Sequence, residues 1–301
     1  MFRLIYRQRR RLLFGTIFLM LTAAVQGRRQ FEEQSVEMIT FSGPLITWLT
    51  AGLTIIVVGG IVFAGLALFV LIFRRWRMVV EIVSFWMLLS CSLRPAERLA
   101  EQFGLPAAAT AIISVALFLA CMSVIYGTVL DRFRFGLDWK SSRRVRVKRP
   151  IEEVWPAFAL AECGSDANWE QILHDVQPVP GEPDSFDVSY LMGPSIFLKQ
   201  RQTVLASDAP THYSYRFSGD VHGRNRRLTD GEFDVKLEPD GKSGTLVTAF
   251  HHQKAMLPRT ALALWFDDQL GDALDGFAAR SRGKRDWSMT GLEHRTTLSL
   301  S

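Results

Sequence analysis

The apolar run at residues 45–73 (LITWLTAGLTIIVVGGIVFAGLALFVLIF) contains no charged side chain and constrains the fold more than any other feature of the sequence. A helix that crosses a lipid bilayer needs roughly 20 apolar residues, and this run exceeds that length. A second long run without charge, 105–130, follows later in the chain. The sequence therefore predicts an integral membrane protein.

Two shorter apolar runs, 12–26 and 78–93, are interpreted from the charges around them. Basic side chains precede the first run and follow the long one in RRWR (74–77), whereas the 27–40 loop mixes Arg with Glu. Lys and Arg concentrate in cytoplasmic loops, and four spans place every basic cluster on that side. We therefore expect a transmembrane helical region over residues 1–135, with spans at about 12–26, 45–73, 78–93 and 105–130.

This arrangement predicts an integral protein of a bacterial inner (plasma) membrane, with the N- and C-termini in the cytoplasm. The first run also has a second interpretation, because a basic start and the small residues Thr22 and Ala24 are typical of a cleavable signal peptide. Cleavage would leave three spans and the same orientation. Within the runs, Glu81 lies one turn after Arg77, and we interpret the two as an ion pair near the interface.

The positive net charge belongs to the membrane half. Up to residue 140 the chain has 15 Lys and Arg against 8 Asp and Glu, and after it 20 against 22. A nucleic-acid-binding domain needs a basic face, so this balance argues against nucleic acid as a partner. Basic residues are densest after the last predicted span, where they either bind anionic lipid head groups or only mark the cytoplasmic side. This membrane-surface basic cluster comprises Arg132, Arg134, Lys140, Arg143, Arg144, Arg146, Lys148 and Arg149.

From about residue 143 the pattern changes to an alternation of apolar and polar residues, which predicts β-strands. After the first strand, Pro150 begins a short helix, and a second short helix is expected over 166–173. EPDGKSG (238–244) predicts a hairpin turn. The chain closes with one long amphipathic helix over 258–283. The remaining strands are expected at 185–192, 196–206, 211–218, 230–238 and 244–252.

The segment VRVKRPIEEVWPAF (145–158) resembles the start of domains of the START-like superfamily (SRPBCC, polyketide cyclase/dehydrase-type helix-grip). The resemblance implies an α+β helix-grip domain over 141–287, an antiparallel curved sheet gripping a long C-terminal helix, and a flexible tail over 288–301. Members hold hydrophobic ligands between sheet and helix, and only some are enzymes. The residues that match the pattern are Arg149, Pro150, Glu152 or Glu153, Val154 and Trp155.

A ligand cavity between the sheet and the long helix would be lined mainly by aromatic side chains, and a filled core accounts for the same residues equally well. His251 and His252 are adjacent on a strand and face opposite ways, so they cannot ligate one metal together. No catalytic residue, metal or cofactor is predicted. The candidate cavity residues are Trp155, Tyr190, Tyr213, Tyr215, Phe217, His251 and Trp265.

The predicted function is that of a membrane-anchored cytoplasmic START-like domain that binds a lipid, a quinone or another hydrophobic small molecule. Two alternatives stay open. One is an accessory or assembly subunit of a larger membrane protein complex. The other is a cyclase- or dehydratase-type enzyme, which the residues support least.

Overall fold

The computed structural model describes residues 2–38, 44–102, 107–127, 129, 136–160, 168–193, 196–221, 227–241 and 243–292. The chain divides into two compact units. The helical unit spans Gln8–Phe133, and the C-terminal domain combines Arg134–Ser301 with the N-terminal residues Met1–Arg7.

Four long helices make up the described part of the helical unit, and each contains most of one predicted span. After the short helix α1 (Phe2–Arg7), they are α2 (Arg9–Met38), α3 (Pro44–Ile72), α4 (Val79–Gln102) and α5 (Ala107–Ile125). Helix α2 packs against α3 and α4, and α4 packs against α5.

Only α3 among the described helices is long and apolar enough to cross a membrane. The segment Gly52–Ile72 has a mean hydropathy of 3.0. The apolar parts of α4 and α5, Val79–Cys91 and Ile112–Ile125, are shorter than a spanning helix requires. The uncharged part of α2, residues 12–27, is likewise shorter than that. The expectation of four spans is therefore supported for one helix only.

A buried polar group around Glu81 joins α4 to α2 and to the turn after α5. Its Oε1 accepts hydrogen bonds from Arg11 Nε and from the Tyr126 hydroxyl, both at 2.6 Å. Arg11 Nη1 donates to Gln8 Oε1 at 2.6 Å, and the Arg11 side chain is 1% exposed. The side chains that pair with Glu81 thus include residues from other helices, which the spacing to Arg77 does not predict.

The C-terminal domain is built on a curved antiparallel sheet of seven strands in the order β1-β7-β6-β5-β4-β3-β2. The first strand of the domain therefore pairs with the last. The strands are β1 (Leu137–Val147), β2 (Leu173–Val179), β3 (Glu182–Gly193), β4 (Ile196–Asp208), β5 (His212–Val221), β6 (Arg227–Asp240) and β7 (Gly244–Met256).

Alternation of apolar and polar residues places one face of this sheet against helices. In β5, Tyr213, Tyr215 and Phe217 are buried, whereas His212 and Arg216 are not. The predicted hairpin over 238–244 is present as the turn between β6 and β7, where Gly241 has a φ of 74°. A left-handed φ suits glycine because it lacks a Cβ atom.

The predicted helix over 258–283 is divided into two. Helix α7 (Pro258–Asp267) ends at Asp268, which has a φ of 48°, and α8 (Gln269–Arg280) begins directly after it. An L-residue in this left-handed region ends an α-helix, so the two segments cannot be continuous. Helix α8 supplies the side chains that pack on the sheet, among them Leu274 and Phe277.

The predicted helix over 166–173 is not formed by its described residues. Residues 168–172 form turns, and Leu173 already belongs to β2, a strand that the sequence analysis did not predict. Asn168 Oδ1 accepts a hydrogen bond from the backbone N–H of Glu170 at 2.8 Å, which stabilises a turn at the expense of a helix. The short helix α6 (Ile151–Val154) follows Pro150 as expected.

The described start of the predicted flexible tail packs against α8. Asp272 on α8 accepts hydrogen bonds from the backbone N–H and the hydroxyl of Thr290, at 3.0 and 3.1 Å. Asp286 accepts from Ser288 N at 2.8 Å and from Arg280 Nη1 at 3.1 Å. Residues 286–292 are therefore part of the domain, and they are called the C-terminal segment below.

Replacing Leu274 tests how far the domain depends on α8. Leu274 is fully buried between α8 and the sheet, and Leu274→Ala should lower the free energy of unfolding by about 2–5 kcal/mol. Urea denaturation of the full chain in detergent, followed by near-UV circular dichroism, measures this loss. Leu205→Ala is the matched control, because Leu205 is 52% exposed and should lose far less. Equal losses would contradict the packing.

Candidate functional site

The helix-facing side of the sheet carries a continuous patch of aromatic rings. Tyr215 lies 5.2 Å from Phe233 and 6.0 Å from Tyr213 between ring centroids. Trp155, from the turn after α6, meets Tyr213 edge-on at 5.9 Å. Four of the predicted cavity residues, Trp155, Tyr213, Tyr215 and Phe217, are thus brought together, and all are buried. They belong to one buried core cluster.

Local structure places a carboxyl group at the edge of this patch. Trp169 is stacked between Phe158 and Phe233, with centroid distances of 5.7 and 5.1 Å. This stacking and the Asn168 turn determine where the next residue, Glu170, projects. Glu170 is half-buried, and its carboxyl group accepts a hydrogen bond from the Tyr190 hydroxyl.

Tyr190 connects this acid to further polar groups. Its hydroxyl accepts a hydrogen bond from Gln202 Nε2 at 2.8 Å and is also hydrogen-bonded to Tyr215. Gln202 is 1% exposed, and its Oε1 has no hydrogen-bond donor among the described residues. Glu170, Tyr190, Gln202 and Tyr215 are called the polar cluster below.

Burial changes the proton affinities of this cluster. Desolvation raises the pKa of Glu170 to about 7, although the hydrogen bond from Tyr190 opposes the change. Desolvation and the nearby Glu170 carboxylate raise the pKa of both Tyr190 and Tyr215 well above 10. Near neutral pH the tyrosines are hydroxyl donors and Glu170 exchanges a proton readily, so the cluster can both donate and accept hydrogen bonds.

A cavity of about 60 Å³ adjoins Glu170. His251 lines it, and desolvation lowers the pKa of this histidine to about 4, with a smaller effect of His252, so the imidazole is neutral. Gln171 also lines the cavity, and its buried Oε1 has no donor among the described residues. Helix α8 closes one side through Leu270 and Ala273.

The other predicted residues occupy different places. Trp265 lies on α7 and is 38% exposed, outside the aromatic core. The basic cluster is divided: Arg143 faces the helices and donates to Asp268 at 2.6 Å, and Arg132 and Arg134 lie outside the described residues. Its exposed members are Lys140, Arg144, Arg146, Lys148 and Arg149.

Sequence reasoning missed Glu170 and Gln171. Both fall in the segment 166–173, where a helix was expected, and a helical pattern gives no reason to place them inside the domain. The stacking of Trp169 is a tertiary contact without a sequence signal. Among the described residues, no three His, Cys, Asp or Glu side chains gather in a way that could hold a metal ion.

No family model and no curated protein matches the chain. Three of the similar solved structures, each with a TM-score of 0.37, are a conserved protein from Geobacillus kaustophilus, Mll3558 from Rhizobium loti and Ara h 8.0201. Their sequence identities are 15%, 12% and 12%, and the matches cover 48%, 48% and 49% of this chain. They cover 91%, 98% and 100% of those chains.

The raised pKa of Glu170 has a measurable effect on stability. The folded state holds this proton more tightly than the unfolded state, so Glu170 makes the domain less stable as the pH rises from about 4.5 to about 7. Glu170→Gln removes this loss, which amounts to at most about 3 kcal/mol in the free energy of unfolding. Thermal unfolding at pH 5 and pH 8 should show the variant gaining stability relative to the wild type at pH 8.

Glu182→Gln is the control, because the Glu182 side chain is 54% exposed and should leave the pH profile unchanged. An unchanged difference between wild type and Glu170→Gln at the two pH values would mean that the Glu170 carboxyl is solvated.

Proposed function

We propose that the C-terminal domain is a START-like helix-grip domain that binds a hydrophobic small molecule carrying a hydrogen-bond donor, such as a hydroxyl group. The observation that carries this proposal is the cavity beside Glu170. Its lining includes a carboxyl group of raised pKa and the unpartnered Oε1 of Gln171, next to an aromatic interior.

The energetics favour a bound polar group at this position. Leaving a buried acceptor without a hydrogen bond costs about 1–3 kcal/mol. A donor on a ligand would satisfy Gln171 Oε1 and could also reach Glu170, which recovers this cost. A cavity of about 60 Å³ holds a few water molecules or a small head group, and not a whole lipid. We therefore assign only the head group to the cavity.

We propose that the protein is anchored in a membrane and that its C-terminal domain lies in the cytoplasm. Helix α3 supports the anchor, because Leu53, Ile56 and Ile61 are each more than 60% exposed and suit a lipid environment. We propose that α2, α4 and α5 complete four spans in a bacterial inner membrane. A domain tethered to the bilayer meets membrane-dissolved molecules at a high effective concentration. The membrane anchor would therefore favour binding of a hydrophobic ligand.

Filling the cavity should prevent binding. Ala273 lines the cavity on α8, and Ala273→Leu places three further carbon atoms in it. Native mass spectrometry of the full chain, released from a mild detergent, should show a small hydrophobic molecule on the wild type and at least a tenfold lower occupancy on the variant. Solvent extraction and mass analysis then identify the class of molecule.

Ala263→Leu on α7 is the matched control, since Ala263 is similarly half-buried but does not line the cavity. It should retain the bound molecule. A wild type without any bound molecule, or equal occupancy in Ala273→Leu, would contradict the ligand-binding function.

The dense interior favours a second function, that of an accessory subunit. The aromatic rings of Trp155, Trp169 and Phe233 pack within one continuous core. A domain with a filled core binds its partners through its outer surface. A domain of this kind would bind other proteins of a membrane complex. Stoichiometric proteins on the same native mass spectra, with no small molecule, would favour this alternative.

A further inference from the structure

The N-terminal helix α1 is docked on α8 by a set of ion pairs. Arg7 Nη1 donates to Asp268 at 2.8 Å, and Arg7 Nε donates to Asp275 at 2.7 Å. Arg3 Nη1 donates to Asp275 at 2.8 Å. More than 120 residues of the helical unit separate these arginines from the domain in the sequence. The contacts nevertheless join them in one compact unit.

The docking site is shaped to receive Arg7. A Cβ atom on Gly271 would overlap the Arg7 guanidinium group, with Cζ 2.6 Å away, so a larger residue at this position would displace the Arg7 side chain. Leu4, one turn earlier on α1, is 3% exposed. An apolar contact and a fitted charged contact thus come from the same face of α1, which distinguishes this docking from a chance surface ion pair.

Asp268 makes the docking important for the whole domain. It lies at the break between α7 and α8 in the left-handed conformation, and its side chain is 1% exposed. Its two oxygens are bound by Arg7 and by Arg143 of β1. Removing one partner from a buried charge is strongly destabilising, because the remaining charge is left without full compensation. Loss of α1 would leave Asp268 and Asp275 in that state.

We infer that α1 is a permanent element of the C-terminal domain, so that the domain is assembled from both ends of the chain. The helical unit then leaves the domain after Arg7 and returns to it on the same side of the membrane. If α3 crosses the bilayer, the helical unit crosses it an even number of times, and at least one other helix is a span. A mature chain that lacked residues 1–26 would lose α1. This inference does not depend on which molecule the domain binds.

Thiol labelling tests the membrane arrangement. Single cysteines are introduced as Phe2→Cys and Lys284→Cys in a chain whose native cysteines are replaced by serine, since both positions are exposed. A membrane-impermeant maleimide is applied to sealed vesicles of either orientation. Both positions should react in the same vesicles. Reaction in opposite vesicles, or an intact mass that lacks residues 1–26, would overturn the inference.

A double-mutant comparison tests the docking itself. Alanine stabilises a helix relative to glycine, and once Arg7 is replaced by Ala the Asp268 side chain, whose Oδ2 lies 3.0 Å from the added Cβ, has room to shift. Gly271→Ala should therefore raise the melting temperature by about 2–4 °C in the Arg7→Ala background. In the wild type the same substitution displaces Arg7 from its two carboxylates and should lower the melting temperature. The change of sign is the expected result. The same shift in both backgrounds would mean that α1 is not docked on α8.

Discussion

The packing of α8 against the aromatic face of the sheet is the contact on which the rest of the C-terminal domain depends. Leu274 and Phe277 join this helix to the core, and three other features then depend on its position. The cavity is closed by Leu270 and Ala273, the C-terminal segment is held by Asp272, and α1 is held by Asp275. One amphipathic helix thus positions the candidate binding site, the C-terminal segment and the N-terminal helix α1.

Ion pairs of Asp268, at the break between α7 and α8, hold α8 in place relative to α1 and β1. Asp268 has an unfavourable backbone conformation that persists only when its surroundings determine it. Arg7 of the N-terminal helix α1 and Arg143 of the edge strand β1 stabilise this conformation by binding the Asp268 carboxylate. The polar cluster differs, because desolvation raises the pKa of Glu170 to about 7 and its hydrogen-bond partner is the neutral Tyr190 hydroxyl. Two carboxyl groups of one domain thus differ: arginines lower the pKa of Asp268, whereas desolvation raises the pKa of Glu170.

Much of the sheet could be predicted, whereas the candidate site could be predicted only in part. Alternation identified β3 to β7 and the hairpin at Gly241, because a half-buried strand shows its two faces directly in the sequence. It missed β2, where Pro178 and several polar residues obscure the pattern. Tyr190, Tyr213 and Tyr215 were predicted to line a cavity but lie in the buried core, whereas the predicted His251 lines the cavity beside Glu170. Glu170 itself was not predicted. Its position follows from the stacking of Trp169, a contact between residues far apart in the sequence.

The sequence by itself determined the division into an apolar helical half and an alternating α+β half, since hydrophobic length and period are local properties. It also determined which faces of the strands are buried. Only the tertiary structure decided that Arg7 belongs to the C-terminal domain, that Asp268 divides the last helix, and that Glu170 lies beside a cavity. Each of these features depends on ion pairs or ring contacts between residues that are far apart in the sequence. A local sequence pattern cannot predict such contacts.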